Sequence, residues 1–105
     1  MEELTLLYMT CGDRGEAKAI ARTLVNERLV ACANILGEMT SIYQWQGALE
    51  EQEEVAVLLK TRRDLTDAVT ERIKSLHSYD LPCVISLPIQ GGNPDFLSWL
   101  QGEVG

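Results

Sequence analysis

The stretch Ser41-Ile42-Tyr43-Gln44-Trp45-Gln46-Gly47-Ala48-Leu49-Glu50-Glu51-Gln52-Glu53-Glu54-Val55-Ala56-Val57-Leu58-Leu59-Lys60-Thr61 decides the fold, because no part of it can be compact alone. Before Gly47, β-branched and aromatic side chains alternate (Ile42, Tyr43, Trp45). After it, Val55 to Leu59 is apolar on both faces, as a strand in mid-sheet is. The stretch reads as a long hairpin with Gly47 at its tip.

Outward from the hairpin, the preceding segment Leu29 to Leu36 is a second strand, interrupted at Gly37-Glu38 and resumed at Met39. A glycine inside a strand pattern marks a bend or bulge, so one is expected at Gly37. Further upstream, Leu4 to Thr10 is a short apolar strand stopped by Cys11-Gly12-Asp13. Asp13 with Glu16 three residues on has the form of a capping box, and Ala17, Ile20, Ala21, Leu24 and Val25 follow at helical spacing to about Arg28.

Downstream, Asp64 is placed to cap a second helix carrying Leu65, Ala68, Val69, Ile73 and Leu76. His77 to Pro82 is a polar loop, and Cys83 to Ile89 a fourth strand whose Pro88 argues for a sheet edge. Asn93 as N-cap and Pro94 at the first helical position then start a short terminal helix.

The order βαββαβ plus a terminal helix is the α+β, ferredoxin-like sandwich, and right-handed crossovers put the first strand between the third and fourth, with the second at the far edge. At 105 residues the chain is a single domain spanning 1–105. Two helices on one face leave the other face of the sheet bare, and the hairpin outruns its neighbours. Both need cover, so a homo-oligomer is expected, with Tyr43 and Trp45 as interface anchors.

Composition narrows the function classes. A net charge of -7 disfavours nucleic acid and weakly favours cations, although an acidic surface also serves solubility alone. No apolar run approaches the roughly 20 residues of a membrane span. The acidic opening Met1-Glu2-Glu3 carries no cationic leader region, and three cysteines (Cys11, Cys32, Cys83) without C-x-x-C spacing speak for reduced thiols; both point to the cytoplasm.

Antiparallel pairing brings the end of the first strand to the start of the fourth, so Cys11 is expected near Cys83, with His77, the sole imidazole, in the loop feeding the fourth strand. Two thiols and an imidazole suit Cu(I) or Zn(II). The competing reading is plain: strand cysteines usually pack, and a lone loop histidine usually meets solvent. Cys32, between alanines, is read as core. Glu50 to Glu54 reads as a solvated face. The glycines at 12, 15, 91 and 92 are too sparse for a phosphate loop. No acid, base and nucleophile converge, so no enzyme is expected.

The chain resembles the CutA-type divalent-cation tolerance proteins. The likeness runs through Arg28-Leu29-Val30-Ala31-Cys32-Ala33-Asn34-Ile35, Thr40-Ser41-Ile42-Tyr43-Gln44-Trp45-Gln46-Gly47, Leu59-Lys60-Thr61-Arg62, His77-Ser78-Tyr79-Asp80-Leu81-Pro82, Gly92-Asn93-Pro94 and Leu97-Ser98-Trp99-Leu100. It implies a cytosolic, non-enzymatic homotrimer linked to tolerance of copper and other divalent metals, similar in structure to the PII signalling proteins. It also implies copper ligands at Cys11 and His77, plus a glutamate just after the loop proline. Here that third position is Cys83, a softer donor, and the resemblance leaves Asp80, where the family often has glutamate, in reserve as an oxygen ligand. A second function consistent with the likeness is a PII-like signalling or scaffold trimer whose inter-subunit clefts take a small anion or metabolite, for which Lys60, Arg62 and Arg63 are the suited residues.

Overall fold

In the computed structural model, which describes residues 3–105, the elements follow the expected order. They are β1 (Leu4–Cys11), α1 (Arg14–Asn26), β2 (Cys32–Trp45), β3 (Ala48–Arg62), α2 (Thr66–Leu76), β4 (Val84–Ile89) and α3 (Pro94–Gly102), with a 3-10 turn at Arg63–Leu65. The sheet is antiparallel in the order β2-β3-β1-β4, which puts β4 and its Pro88 at one edge and β2 at the other. Met1 and Glu2 of the acidic opening lie outside the described residues.

Alternation along β1 divides the sheet into two unlike faces. Leu7, Met9 and Cys11, with Val55, Val57 and Leu59 of β3, turn toward Ala17, Ile20 and Leu24 of α1 and Val69 and Ile73 of α2, and together they form the core. The other face carries Leu6, Tyr8 and Thr10, which the register aligns with Leu58 of β3 and Ile85 and Leu87 of β4. Ile85 and Leu87 keep about half of their surface exposed, at 53% and 50%. α3 meets β3 near Lys60, whose Nζ lies 5.6 Å over the Phe96 ring. Among the described residues, no helix is long and apolar enough to cross a membrane.

The hairpin turns on Gln46 and Gly47, both at positive φ (50° and 82°), the left-handed pair that a two-residue turn between twisted strands requires. Its outer arm has no cover: Ile42 and Leu49 are exposed, and the molecule stretches to 45 Å along its long axis against 24 and 23 Å across. The bulge is present. Ile35 pairs with Val57 and Glu38 with Val55, so Leu36 and Gly37 together oppose one residue of β3. This slip inverts the alternation of β2. Before it Cys32 and Asn34 share the open face with Lys60 and Leu58; beyond it Met39, Ser41 and Tyr43 do so, opposite Glu54, Gln52 and Glu50.

Four local expectations are corrected. β2 begins at Cys32 rather than Leu29, because α1 ends in a left-handed residue, Arg28 (φ 60°), and the Leu29 amide closes on the Leu24 carbonyl at 3.0 Å. β4 begins at Val84, one residue later than read. Asp64 does not cap α2. It sits in the 3-10 turn and takes the Arg62 guanidinium at 3.0 Å, while the Thr66 hydroxyl donates to the Arg63 carbonyl at 2.7 Å. Cys32 is half-buried on the open face, not core. The other two caps form as read: the Asp13 carboxylate accepts from the Glu16 amide at 2.8 Å, and the Asn93 side chain accepts from the Asp95 amide at 3.0 Å.

Candidate metal centre

The end of β1 brings Cys11 down into the core face, immediately before the first turn of α1. Three residues into that turn stands Glu16, which serves the helix and the following loop at once. One carboxylate oxygen accepts from the Gly12 amide at 3.4 Å, and the other from the Ser78 amide at 2.8 Å. His77, at the end of α2, turns inward and its side chain is wholly buried. Ligand atoms of Cys11, Glu16 and His77 lie within 4.8 Å of one another. Among the described residues this is the one grouping of three such side chains.

His77 is held at both nitrogens. Nδ1 accepts from the Tyr79 amide at 3.1 Å, which fixes the proton on Nε2, and Nε2 donates to the Thr10 carbonyl at 2.8 Å. Burial pushes the Cys11 thiol up to about 12, helped by the negative charges of Glu16, Asp13 and Glu54, so at neutral pH it is protonated. Burial also pushes the Glu16 carboxyl up, but hydrogen bonds from Ser78, the nearby His77 and the Gly12 amide outweigh it and hold the group below its ordinary value.

The donor set is one sulfur, one nitrogen and one oxygen, which suits the borderline ions zinc and copper. Binding there has a defined cost. An ion must displace the Cys11 proton, and taking Nδ1 breaks the Tyr79 amide hydrogen bond, worth about 1 kcal/mol.

Two residues expected in this group lie elsewhere. Cys83 precedes β4 on the open side of the sheet, half-buried near Thr10, and Asp80 is exposed. β1 and β4 pair with Met9 opposite Val84, so the ladder carries Cys83 toward Thr10, one residue out of phase with Cys11. Both line a cleft of about 500 Å³ on that face, with Tyr8, Tyr43, Trp45, Gln52, Glu54 and Tyr79. Glu54 corrects the reading of its neighbours: Glu50, Glu51 and Glu53 are solvated, but Glu54 is only 7% exposed and accepts from the Tyr79 hydroxyl at 2.8 Å. Burial, then the Glu54 hydrogen bond and charge, push the Tyr79 phenol up.

The three cations proposed for an anion site do not converge. Lys60 donates to the Asn34 side chain at 2.8 Å, Arg62 pairs with Asp64, and Arg63 pairs with Glu3. Glu16 is the residue that sequence reasoning missed. Its signal is Asp13-x-x-Glu16 directly after Cys11, a pattern that in sequence reads wholly as a helix cap.

Residues 5–103 match the model of the CutA1 divalent ion tolerance protein family. The chain belongs to that family. It is 44% identical over 100 residues to the divalent-cation tolerance protein CutA of Pyrococcus horikoshii, covering 95% of this chain and 97% of that one. It is 47% identical over 97 residues to a CutA homolog of Xenopus laevis, covering 92% of this chain and 64% of that relative's length. The crystal structure of CutA1 from Oryza sativa superposes with a TM-score of 0.96 at 38% identity, covering 99% of this chain and 95% of that one. The core of the CutA1 fold, with its four-stranded antiparallel sheet and three helices, is therefore this chain's architecture. The resemblance carried by the Tyr-x-Trp-x-Gly hairpin and the His-x-Tyr loop is borne out.

Proposed function

We propose that this CutA1-family chain is a cytoplasmic, non-enzymatic protein that binds a divalent metal, copper above all, and works as a homotrimer. The observation that carries the metal reading is the convergence of Cys11, Glu16 and His77 within 4.8 Å. Glu16 supplies the oxygen donor that Cys83 cannot, so the set is borderline rather than soft, and the general order of metal affinities ranks copper(II) above zinc in it. The trimer reading is supported by the half-exposed Ile85 and Leu87, the exposed Tyr43 and Trp45, and the unpaired outer edges of β2 and β4. The cytoplasmic reading is supported by three free thiols.

Isothermal titration of the reduced protein with copper and zinc tests the metal site. Affinity that survives unchanged in both Cys11→Ser and His77→Ala removes the assignment. Sedimentation tests the assembly, and a folded particle of 11.7 kDa at micromolar concentration removes the trimer.

A second reading, a PII-like signalling or scaffold trimer, is favoured by the open-face cleft alone. The basic residues Lys60, Arg62 and Arg63 give it no support, since each is already engaged.

A further inference from the structure

The helix layer carries a charge pattern that neither the metal centre nor the assembly uses. The chain has 9 lysines and arginines against 16 acids. Among the described residues, Arg62, Arg63, Arg72 and Lys74 pair with carboxylates, Lys60 donates to the Asn34 side chain, and Arg28 donates to the Gly102 carbonyl. The three cations left, Arg14, Lys18 and Arg22, make no ion pair or side-chain hydrogen bond, and all three are exposed on α1.

Their spacing of four residues sets them in one stripe, with steps of about 6 Å and a length of about 12 Å. Helix stability does not account for it. Like charges four residues apart repel, and cations stabilise the last turn of a helix, yet α1 has none there and carries Arg14 in its first turn, against the macrodipole. Beside Arg22, the residues Ala21, Val25 and Ala33 line a shallow apolar recess of about 250 Å³. Since α1 packs on the core side of the sheet, the stripe stands apart from Ile85, Leu87, Tyr43 and Trp45, the residues that copies of the chain would cover.

An extended acidic segment presents every second side chain on one face at a repeat of about 6.8 Å, close to the step of the stripe. Its carboxylates can each take a guanidinium through two parallel hydrogen bonds. A nucleic acid fits less well, because a chain of net charge -7 repels it and three cations meet few phosphates.

We propose that the outer side of α1 docks an extended acidic segment of a partner protein, with carboxylates at alternate positions against Arg14, Lys18 and Arg22 and an aliphatic side chain in the recess at Val25.

The test is fluorescence anisotropy of the full chain with a labelled peptide that carries glutamate at three alternate positions and leucine two residues further on. The peptide binds saturably at low salt and loses about tenfold or more in affinity between about 20 and about 150 mM salt. Lys18→Gln weakens it about fivefold, and the triple variant Arg14→Gln/Lys18→Gln/Arg22→Gln abolishes binding while remaining folded, because all three side chains are exposed. Lys74→Gln, an equal change of net charge on α2, leaves the affinity within about twofold. Exchanging the peptide's leucine for serine weakens binding about threefold. The proposal is overturned if no peptide binds at low salt, or if Lys74→Gln weakens binding as much as Lys18→Gln. It is equally overturned if a single-stranded oligonucleotide of the same charge binds more tightly through these residues, or if the triple variant loses assembly in sedimentation, which assigns the stripe to a second copy.

Discussion

Cys11 and Cys83 stand at the same end of two neighbouring strands, yet one is sealed against helices and the other opens on a cleft. Cys11 has no exposed surface and packs with Val55 and Ala17, whereas Cys83 is half-buried beside Thr10 and Glu54. The difference is one step of strand phase. It teaches that adjacency in a sheet does not bring side chains together; only register on a shared face does.

The sharpest way to test the contrast between faces is to truncate each. Leu7→Ala on the sealed face should cost about 2–5 kcal/mol in thermal or denaturant unfolding, because a wholly buried leucine leaves a cavity. Leu87→Ala on the open face should cost about 0.5 kcal/mol or less in the separated chain. A large, concentration-dependent loss for Leu87→Ala would show instead that assembly buries it, and would sharpen the trimer reading.

Next in size, Cys11→Ser should lower copper affinity about 100-fold, near 2.7 kcal/mol, and Cys83→Ser should leave it within about twofold. Equal losses at both thiols would dissolve the distinction and place the ion across the sheet edge. Smaller again, Tyr79→Phe removes the donor to Glu54 and should cost about 1–2 kcal/mol in stability, read by chemical denaturation.

Part of this contrast is legible in the sequence alone. The strand alternation, the bulge at Gly37 and the caps at Asp13 and Asn93 are local signals, and local rules suffice for them. The phase between β1 and β4 is not local. Nothing in Cys83-Val84-Ile85 says that Val84 rather than Cys83 will face Met9, so sequence alone pairs the two thiols by proximity along strand ends. Glu16 reads in sequence only as a helix cap, because a capping carboxylate gives no sign of a histidine arriving from 61 residues further on. The burial of Glu54 likewise depends on Tyr79 reaching across from a distant loop.

The smallest expected effect lies outside both faces, where α1 meets α2. Glu27 receives the Arg72 guanidinium at 2.8 and 2.9 Å, and that hydrogen bond, with the cation's charge, holds its carboxyl below the ordinary value of 4.5. Its contribution to stability is therefore present above that value and is lost as pH falls through the lower folded value. Glu27→Gln should make unfolding slightly less sensitive to acid than in the unaltered chain, followed by denaturation midpoints across the acidic range; an unchanged slope would show that the exposed pair contributes nothing.

The unpaired step at Leu36 and Gly37 also governs how the outer arm can change in length. Because neighbouring residues of a strand look in opposite directions, inserting residues in β2 between the step and the tip keeps Tyr43 and Trp45 on the sheet face they share with Tyr8 only when they come in twos, matched by twos in β3. A single insertion, or deletion of Gly37, would turn the aromatic pair to the back of the arm and present Ile42 and Gln44 in its place. The arm is thus free to grow or shrink, but only in even increments.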